Sequence, residues 1–267
     1  MKLKIIQYNI LNGLCCEQRP YSLDDGRKRN FLRILEREKP DILVLCEASC
    51  WPTARQESSG DYEKIIREMC EKDLGNDGSF RWAPAIITRF PMESKNMSEY
   101  FRSFLRTRIK VGGKTINLDA VHPHPELSEK ERAEFFSRII KTGKNPYIIA
   151  GDFNSLSPED NYDLQRLIKG YESFMGGDGK AKAEDIITAH ALMPLMKKGL
   201  IDTHLSIKRN GGFTVPTDWR NKGKDSAVRL DYIFCSEEFR IIDSGIINDD
   251  LTNSASDHHP IFAVLEI

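Results

Sequence analysis

Residues 147–154 read Tyr-Ile-Ile-Ala-Gly-Asp-Phe-Asn. Four apolar residues, bounded by Asn145-Pro146 on one side and Gly151 on the other, have the length of a strand buried on both faces. Asp152 and Asn154 follow at once, so polar groups stand where the strand gives way to a loop. Taken alone, Gly-Asp-Phe-Asn also reads as an Asx-turn, because Asp and Asn favour turns. The pattern recurs, however. Ile42 to Cys46 is a continuous apolar run closed by Glu47, Thr115 to Val121 runs into His122, and Asn9 sits near the end of the Lys2 to Leu11 strand. Asp231 lies inside the Arg229 to Cys235 strand, where bulky apolar neighbours oblige it to have a partner. Asp257-His258 immediately precede the last strand, Pro260 to Ile267. Ligands of open α/β sheets bind where strands end and loops begin, so these groups are expected to converge on one cleft.

Between the strands the periodicity turns helical. Ser22 and Asp25 resemble a capping box for a helix through Lys39, stopped by Pro40. Ser128 and Glu131 cap a second helix with Ala133, Phe135, Phe136, Ile139 and Ile140 on its buried face. Further helices are read at Asp61 to Leu74, after Ser157-Pro158, and from Glu184 to Gly199. Ala83 to Phe90, Phe213 to Val215 and Phe239 to Ile246 are strand-like, and Gly112-Gly113-Lys114 reads as a hairpin turn between Tyr100 to Val111 and Thr115 to Val121. Interleaved strands and helices without a linker-like stretch predict one α/β domain over residues 1–267.

Composition sets the outer limits. A compact chain of 267 residues buries ~73% of its extended surface and needs neither disulfide nor metal to fold. With 40% hydrophobic and 30% charged residues it is neither disordered nor fibrous. No apolar run approaches the ~20 residues of a bilayer span, and Met1-Lys2-Leu3-Lys4 leads straight into a strand, so a soluble, cytoplasmic protein is expected. The six cysteines form no metal pattern and read as buried free thiols. Lys+Arg 39 against Asp+Glu 40 gives a net charge of −1, so any anionic partner has to be met by a local constellation.

Glu47, Asp152 and Asp257 with Asn9 and Asn154 make an oxygen-rich set suited to magnesium or manganese. Carboxylates in excess of the one or two that hold such an ion are available to orient or deprotonate water. The imidazoles supply donors to a phosphate. Metal-assisted hydrolysis of a phosphoester uses all of these parts.

The series Gln7-Tyr8-Asn9, Cys46-Glu47, Val121-His122, Gly151-Asp152-Phe153-Asn154, Arg229-Leu230-Asp231-Tyr232-Ile233 and Ser256-Asp257-His258, in this order, resembles the endonuclease/exonuclease/phosphatase superfamily. That superfamily includes deoxyribonuclease I, exonuclease III-type abasic-site endonucleases, neutral sphingomyelinases and inositol polyphosphate 5-phosphatases. The resemblance implies a four-layer α/β/β/α sandwich: two mixed sheets packed face to face, helices outside, and a cleft at one rim. It implies that Glu47 binds magnesium with Asn9 in or beside its shell, and that Asp257 is a further metal or water-network ligand. Asp152 would orient or deprotonate the attacking water, Asn154 would bind phosphate, and His258, held by Asp231, would donate to phosphate oxygens. His122 would bind the phosphate or assist the leaving group. The carboxylates and His258 would titrate as a coupled set, leaving the base open.

Substrate is less legible. By resemblance, abasic-site endonucleases carry Tyr where this chain has His122, and the neutral charge also disfavours duplex DNA. A small or lipid-like phosphoester, acted on by a monomer, is therefore expected ahead of DNA or RNA. A non-catalytic phosphate- or protein-binding module is the remaining class, and a calcineurin-like metallophosphoesterase lacks its Gly-Asp-x-x-Asp and Gly-Asn-His patterns here. Two basic features could receive the anion. Arg102, Arg106, Arg108 and Lys110 share a strand face, and Trp219-Arg220 lie in a Lys- and Arg-rich loop. Either also reads as a solvated surface. His124 and His259 read as loop and turn residues.

Overall fold

The computed structural model describes residues 1–15, 24–48, 53–56, 84–99, 102–208, 212–218 and 226–267. Two six-stranded mixed sheets form its centre. The first runs, in hydrogen-bonded order, β11 (Arg240–Ile246), β12 (Ile261–Glu266), β1 (Lys2–Asn9), β2 (Ile42–Cys46), β4 (Ala85–Thr88) and β3 (Thr53–Gln56). The second runs β5 (Met92–Glu99), β6 (Arg102–Val111), β7 (Lys114–Val121), β8 (Tyr147–Asp152), β10 (Asp231–Cys235) and β9 (Ile201–Asp202).

Strict alternation along the strands builds the layers. Ile5, Ile42, Val44, Leu118, Ala120, Ile148, Ala150 and Ile233 point between the sheets and form the central core. Their neighbours Ile6, Leu43 and Leu45 point outward onto Phe31, Ile34 and Leu35 of α1 (Asp25–Glu38). Ile149 and Phe234 point the other way, onto Phe135, Phe136 and Ile139 of α2 (Glu129–Lys141). The central strands are thus apolar on both faces, which is why they read as unbroken runs. The result is the expected α/β/β/α sandwich. Smaller helices α3 (Leu164–Met175) and α4 (Gly179–Ile186) enclose a satellite cluster around Leu167, Tyr171 and Ile186. Among the described residues no helix is long and apolar enough to cross a membrane.

Local chemistry sets the boundaries. Asp24 caps α1, accepting from Gly26 N and Arg27 N, two residues beyond the expected Ser22, which lies outside the described residues. Ser128 and Glu131 form the full capping box of α2. Gly112 and Gly113, both at positive φ, make the two-residue turn between β6 and β7. The Glu184 to Gly199 helix is corrected. α4 ends at Ile186, Ala189 is left-handed at φ 50°, and a new helix α5 (Met193–Lys197) starts with Pro194 in its first turn. After Ser157-Pro158 there is a single 3₁₀ turn, and the helix that follows is capped by Asp163. Phe213 to Val215 contributes one bridge, Val215 to Val228, and no longer strand. The Asp61 to Leu74 helix lies outside the described residues.

Candidate active site

The site is the end of the central core. The alternation that points Ile5 inward continues through Gln7 to Asn9, that of Val44 reaches Cys46, that of Ala120 reaches His122, and that of Ala150 reaches Asp152. On β10, running the other way, Ile233 leads back to Asp231. Polar side chains therefore occupy inward-facing positions at one rim. Gln7, Asn9, Asp152 and Asp231 are 2% exposed or less, whereas Glu47, Asn154 and Asp257 are half-buried and face the opening.

Two backbone features hold the rim. Gly151 sits at φ 157°, and a Cβ there would run into the carbonyl oxygen of Val121 on β7. Only glycine permits this approach, which brings Asp152 beside His122. Glu47 and Asn154 both adopt left-handed φ, near 54° and 50°, turning their side chains off the strand ends. On the last loop, α6 (Asp250–Ala255), capped by Asp249 and Thr252, delivers Ser256, whose Oγ donates to the carbonyl of Asn9 at 2.7 Å. That contact fixes Asp257 and His258 over the end of β1.

Asp152 and Asp231 are directly opposite one another on antiparallel β8 and β10. Two carboxylates so placed repel unless charge lies between them, and His258 supplies it. Its Nδ1 is 2.7 Å from Asp231 Oδ2, and its Nε2 is 3.7 Å from Asp152 Oδ2. Burial alone would drive the His258 imidazole down. Asp231, then Asp152, outweigh it and hold its pKa up at about 10. Asp152 Oδ2 also lies 3.5 Å from His122 Nε2 and accepts from Asn9 Nδ2 at 3.0 Å, while its Oδ1 accepts from Asn154 N at 2.9 Å. Its proton affinity is nonetheless raised, chiefly by burial and against the pull of His258.

Glu47 is held by neutral donors: Asn9 Nδ2 at 3.1 Å and Asn12 N at 3.0 Å. Burial, followed by the charge of Asp257, raises its pKa. A half-buried carboxylate beside another carboxylate, hydrogen-bonded by amides and with His258 the smallest of the influences on it, can take further positive charge. Glu47 and Asp257 are thus the carboxylates that could hold a hard divalent cation, while Asn9 beside them turns its Nδ2 to Glu47 and its Oδ1 to Leu11 N at 3.0 Å. Asp152, Asp231 and His258 also have donor atoms mutually within 4.8 Å. That trio already contains its own cation in His258, so the Glu47 side is the better place for a metal.

Supports not anticipated from sequence lie beneath. Gln7 Nε2 donates to Asp231 Oδ1 at 3.0 Å, and Cys46 Sγ accepts from the Asp152 amide at 3.3 Å and donates to Val121 O at 3.4 Å. A glutamine inside the apolar run Ile5-Ile6-Gln7-Tyr8 carries the same signal that marks Asp231.

Arg106 and Arg108 are corrected. Their shared face exists, but it is the outer one, partly covered by α2. Arg106 forms a bidentate pair with Asp119 at 2.8 and 2.6 Å and donates to Ile139 O at 2.8 Å, and Arg108 pairs with Glu93. Neither reaches the cleft. Trp219 and Arg220 lie outside the described residues. His259 is buried against Thr252 Oγ1 at 3.0 Å, and its pKa is lowered to about 4 by burial and by His258. His124 accepts from Glu126 N at 3.2 Å in its loop. Cys46 and Cys235 are buried free thiols, and Cys15 is buried as well.

The fold recurs in solved structures at low identity. An endonuclease/exonuclease/phosphatase from Beutenbergia cavernae superposes at a TM-score of 0.60 with 19% identity, covering 100% of this chain and 72% of that one. An AP endonuclease from Archaeoglobus fulgidus gives 0.60 and 18%, covering 99% and 100%. D. rerio TDP2 complexed with a single-strand DNA product gives 0.56 and 17%, covering 100% and 99%. No curated protein sequence matches. The family description Endonuclease/Exonuclease/phosphatase matches residues 6–258, a span that opens on β1 and closes on His258. That match spans nearly the whole chain, and the chain belongs to the endonuclease/exonuclease/phosphatase family.

Proposed function

We propose that this protein is a divalent-metal-dependent phosphoester hydrolase that directs in-line attack of water on phosphorus. The observation that carries this reading is the division of charge across the rim. Asp152 Oδ2 faces Nε2 of both His122 and His258, while Glu47 accepts from the neutral Asn9 and Asn12 amides and lies in the field of Asp257, with His258 a smaller opposing influence. Glu47 and Asp257, with Asn9 beside them, would hold Mg²⁺ or Mn²⁺. Bound there, the ion supplies Lewis-acid stabilisation of the charge that builds on phosphoryl oxygens.

The chain's own groups do the rest. Asp152, buried and with its proton affinity raised, is suited to orient water and take its proton. His258, cationic at neutral pH, donates through Nε2 to a phosphoryl oxygen while Asp231 keeps Nδ1 engaged. His122 and Asn154 complete the phosphate-binding edge. Residues 1–267 act as one domain in this reading.

A small or lipid-like phosphoester is preferred because of His122 and a net charge of −1. Nuclease action is the second reading, favoured by full-length superposition on proteins named as an AP endonuclease and TDP2. The test is a panel of bis-p-nitrophenyl phosphate, p-nitrophenyl phosphate, abasic-site DNA, single-stranded RNA and sphingomyelin. It is run with Mg²⁺ or EDTA, on wild type and the Asp152→Ala and His258→Ala variants. Hydrolysis that needs the metal and both side chains is expected. Activity indifferent to EDTA, or surviving both substitutions, would contradict the mechanism, and robust abasic-site cleavage would reverse the substrate preference.

A further inference from the structure

A cavity of about 480 Å³ opens directly beside the phosphate-binding edge, with Asn154 and Asp257 on its wall. Most of its remaining lining is apolar, with Glu126, Lys182 and Ser226 the polar exceptions. Tyr171 and Met175 come from α3, Ile186 from α4, Val215 and Pro216 from the segment before the Asp257 loop, and Val228 from the approach to β10. Tyr171, Ile186 and Val228 are buried, so these walls are fixed by the satellite core. The size falls within the range of small-molecule sites, roughly 300–1,000 Å³. Lys182 gauges the interior. Burial, then the charge of Arg132, lowers its ammonium pKa to about 8, and its Nζ donates to the Pro125 carbonyl at 2.7 Å. One of its donors is thus engaged by backbone, and the neighbouring Glu126 would repel a second anion.

Resting on the phosphoester chemistry above, we propose that this cavity is the specificity subsite and receives an uncharged apolar substituent, alkyl or aryl, of the phosphoester. A phosphate placed between His258 and Asn154 would project one ester arm past Asp257 into it. Inositol phosphates and unsubstituted sugar phosphates, whose arms are charged or densely hydroxylated, match this lining poorly. A nucleotide strand would bring charge against Glu126. Met175 and Tyr171 on α3, with Ile186 on α4, are then the residues that set preference, and they lie outside the polar rim.

Direct calorimetric titration of the whole chain in Mg²⁺, with diphenyl phosphate against dimethyl phosphate, tests the subsite without requiring turnover. The aryl ester is expected to bind about ten- to a hundred-fold more tightly. Met175, 42% exposed at the end of α3, can be changed without opening the core. Met175→Glu is expected to remove most of that preference and Met175→Leu to keep it. Methyl and phenyl p-nitrophenyl phosphate, compared kinetically, should then differ in KM more than in kcat. Equal binding of the two phosphodiesters by wild type, or a preference untouched by Met175→Glu, would overturn the subsite. So would displacement of diphenyl phosphate by a single-stranded oligonucleotide at lower concentration. Absence of turnover with the binding preference intact would instead contradict the hydrolase reading and leave the subsite standing.

Discussion

Two buried charge clusters lie two residues apart in sequence, and their contrast separates structure from chemistry. Arg229, fully buried, pairs with Asp160 at 3.0 and 3.1 Å and with Asp202 at 2.8 Å, and its guanidinium stacks 4.3 Å from the Tyr232 ring centroid. Its guanidinium is buried among Asp160, Asp202 and the Tyr232 ring, and it braces the start of β10. Asp231 enters the other cluster, where Asp152, Asp231, Glu47 and Asp257 face two imidazoles. There the proton affinities of Glu47 and Asp152 rise, Glu47 is held by amide donors at 3.1 and 3.0 Å, and the half-buried members look into a cleft. A buried charge cluster closed by direct ion pairs stabilises the fold, whereas one that leaves a carboxylate to neutral donors at an opening marks a site prepared for a ligand.

Substitutions can break this contrast at several levels. Gly151→Ala should damage both regions, because the added Cβ collides with the backbone that joins β7 and β8. More than about 4 kcal/mol of stability should go, read by denaturant titration, with little folded protein recovered. Asp152→Asn should separate the clusters. Hydrolysis of bis-p-nitrophenyl phosphate is expected to fall ~10²–10⁴-fold while the melting temperature holds or rises, since a repelling charge is removed. Arg229→Met should do the reverse. It strands Asp160 and Asp202, costs about 3–5 kcal/mol of stability, and leaves kcat of the folded fraction near wild type. An Arg229→Met protein as stable as wild type but inactive would merge the two clusters into one. Asp231→Asn gives the smallest effect on the fold. Its charge favours the protonated imidazole, so its loss should bring His258 down from about 10 toward the ordinary ~6.5, read by NMR titration in EDTA. The cationic donor would then disappear as pH rises through neutrality, whereas wild type keeps it.

Much of this was legible in the sequence because strands buried on both faces leave an unambiguous record. Ile42 to Cys46 forms the strand its apolar run predicts, and the polar residues at strand ends do meet at one rim. Other features left weaker traces. Met92–Glu99, an edge strand written largely in polar residues, has no apolar run to show. The helix from Glu184 failed because periodicity continues across Ala189 while the backbone does not, and Pro194 was the available warning. The Arg106–Lys110 stripe identified a face correctly. Which side of a sheet that face looks toward depends on α2, whose Ile139 carbonyl accepts from Arg106, whereas the pairing of Arg106 with Asp119 follows from the register of β6 on β7. Gln7 and Cys46 could have been found by extending the inward alternation of β1 and β2 to their last residues.

The excess of carboxylate on the Glu47 side is the centre of this account, and titration with Mn²⁺ followed by electron paramagnetic resonance measures it directly. Wild-type protein should bind Mn²⁺ in competition with Mg²⁺, Glu47→Gln should weaken that binding at least tenfold, and Arg229→Met should leave it unchanged. Binding that is absent from wild type, or equally strong in Glu47→Gln, would contradict the assignment of this rim as a cation-dependent phosphoester site.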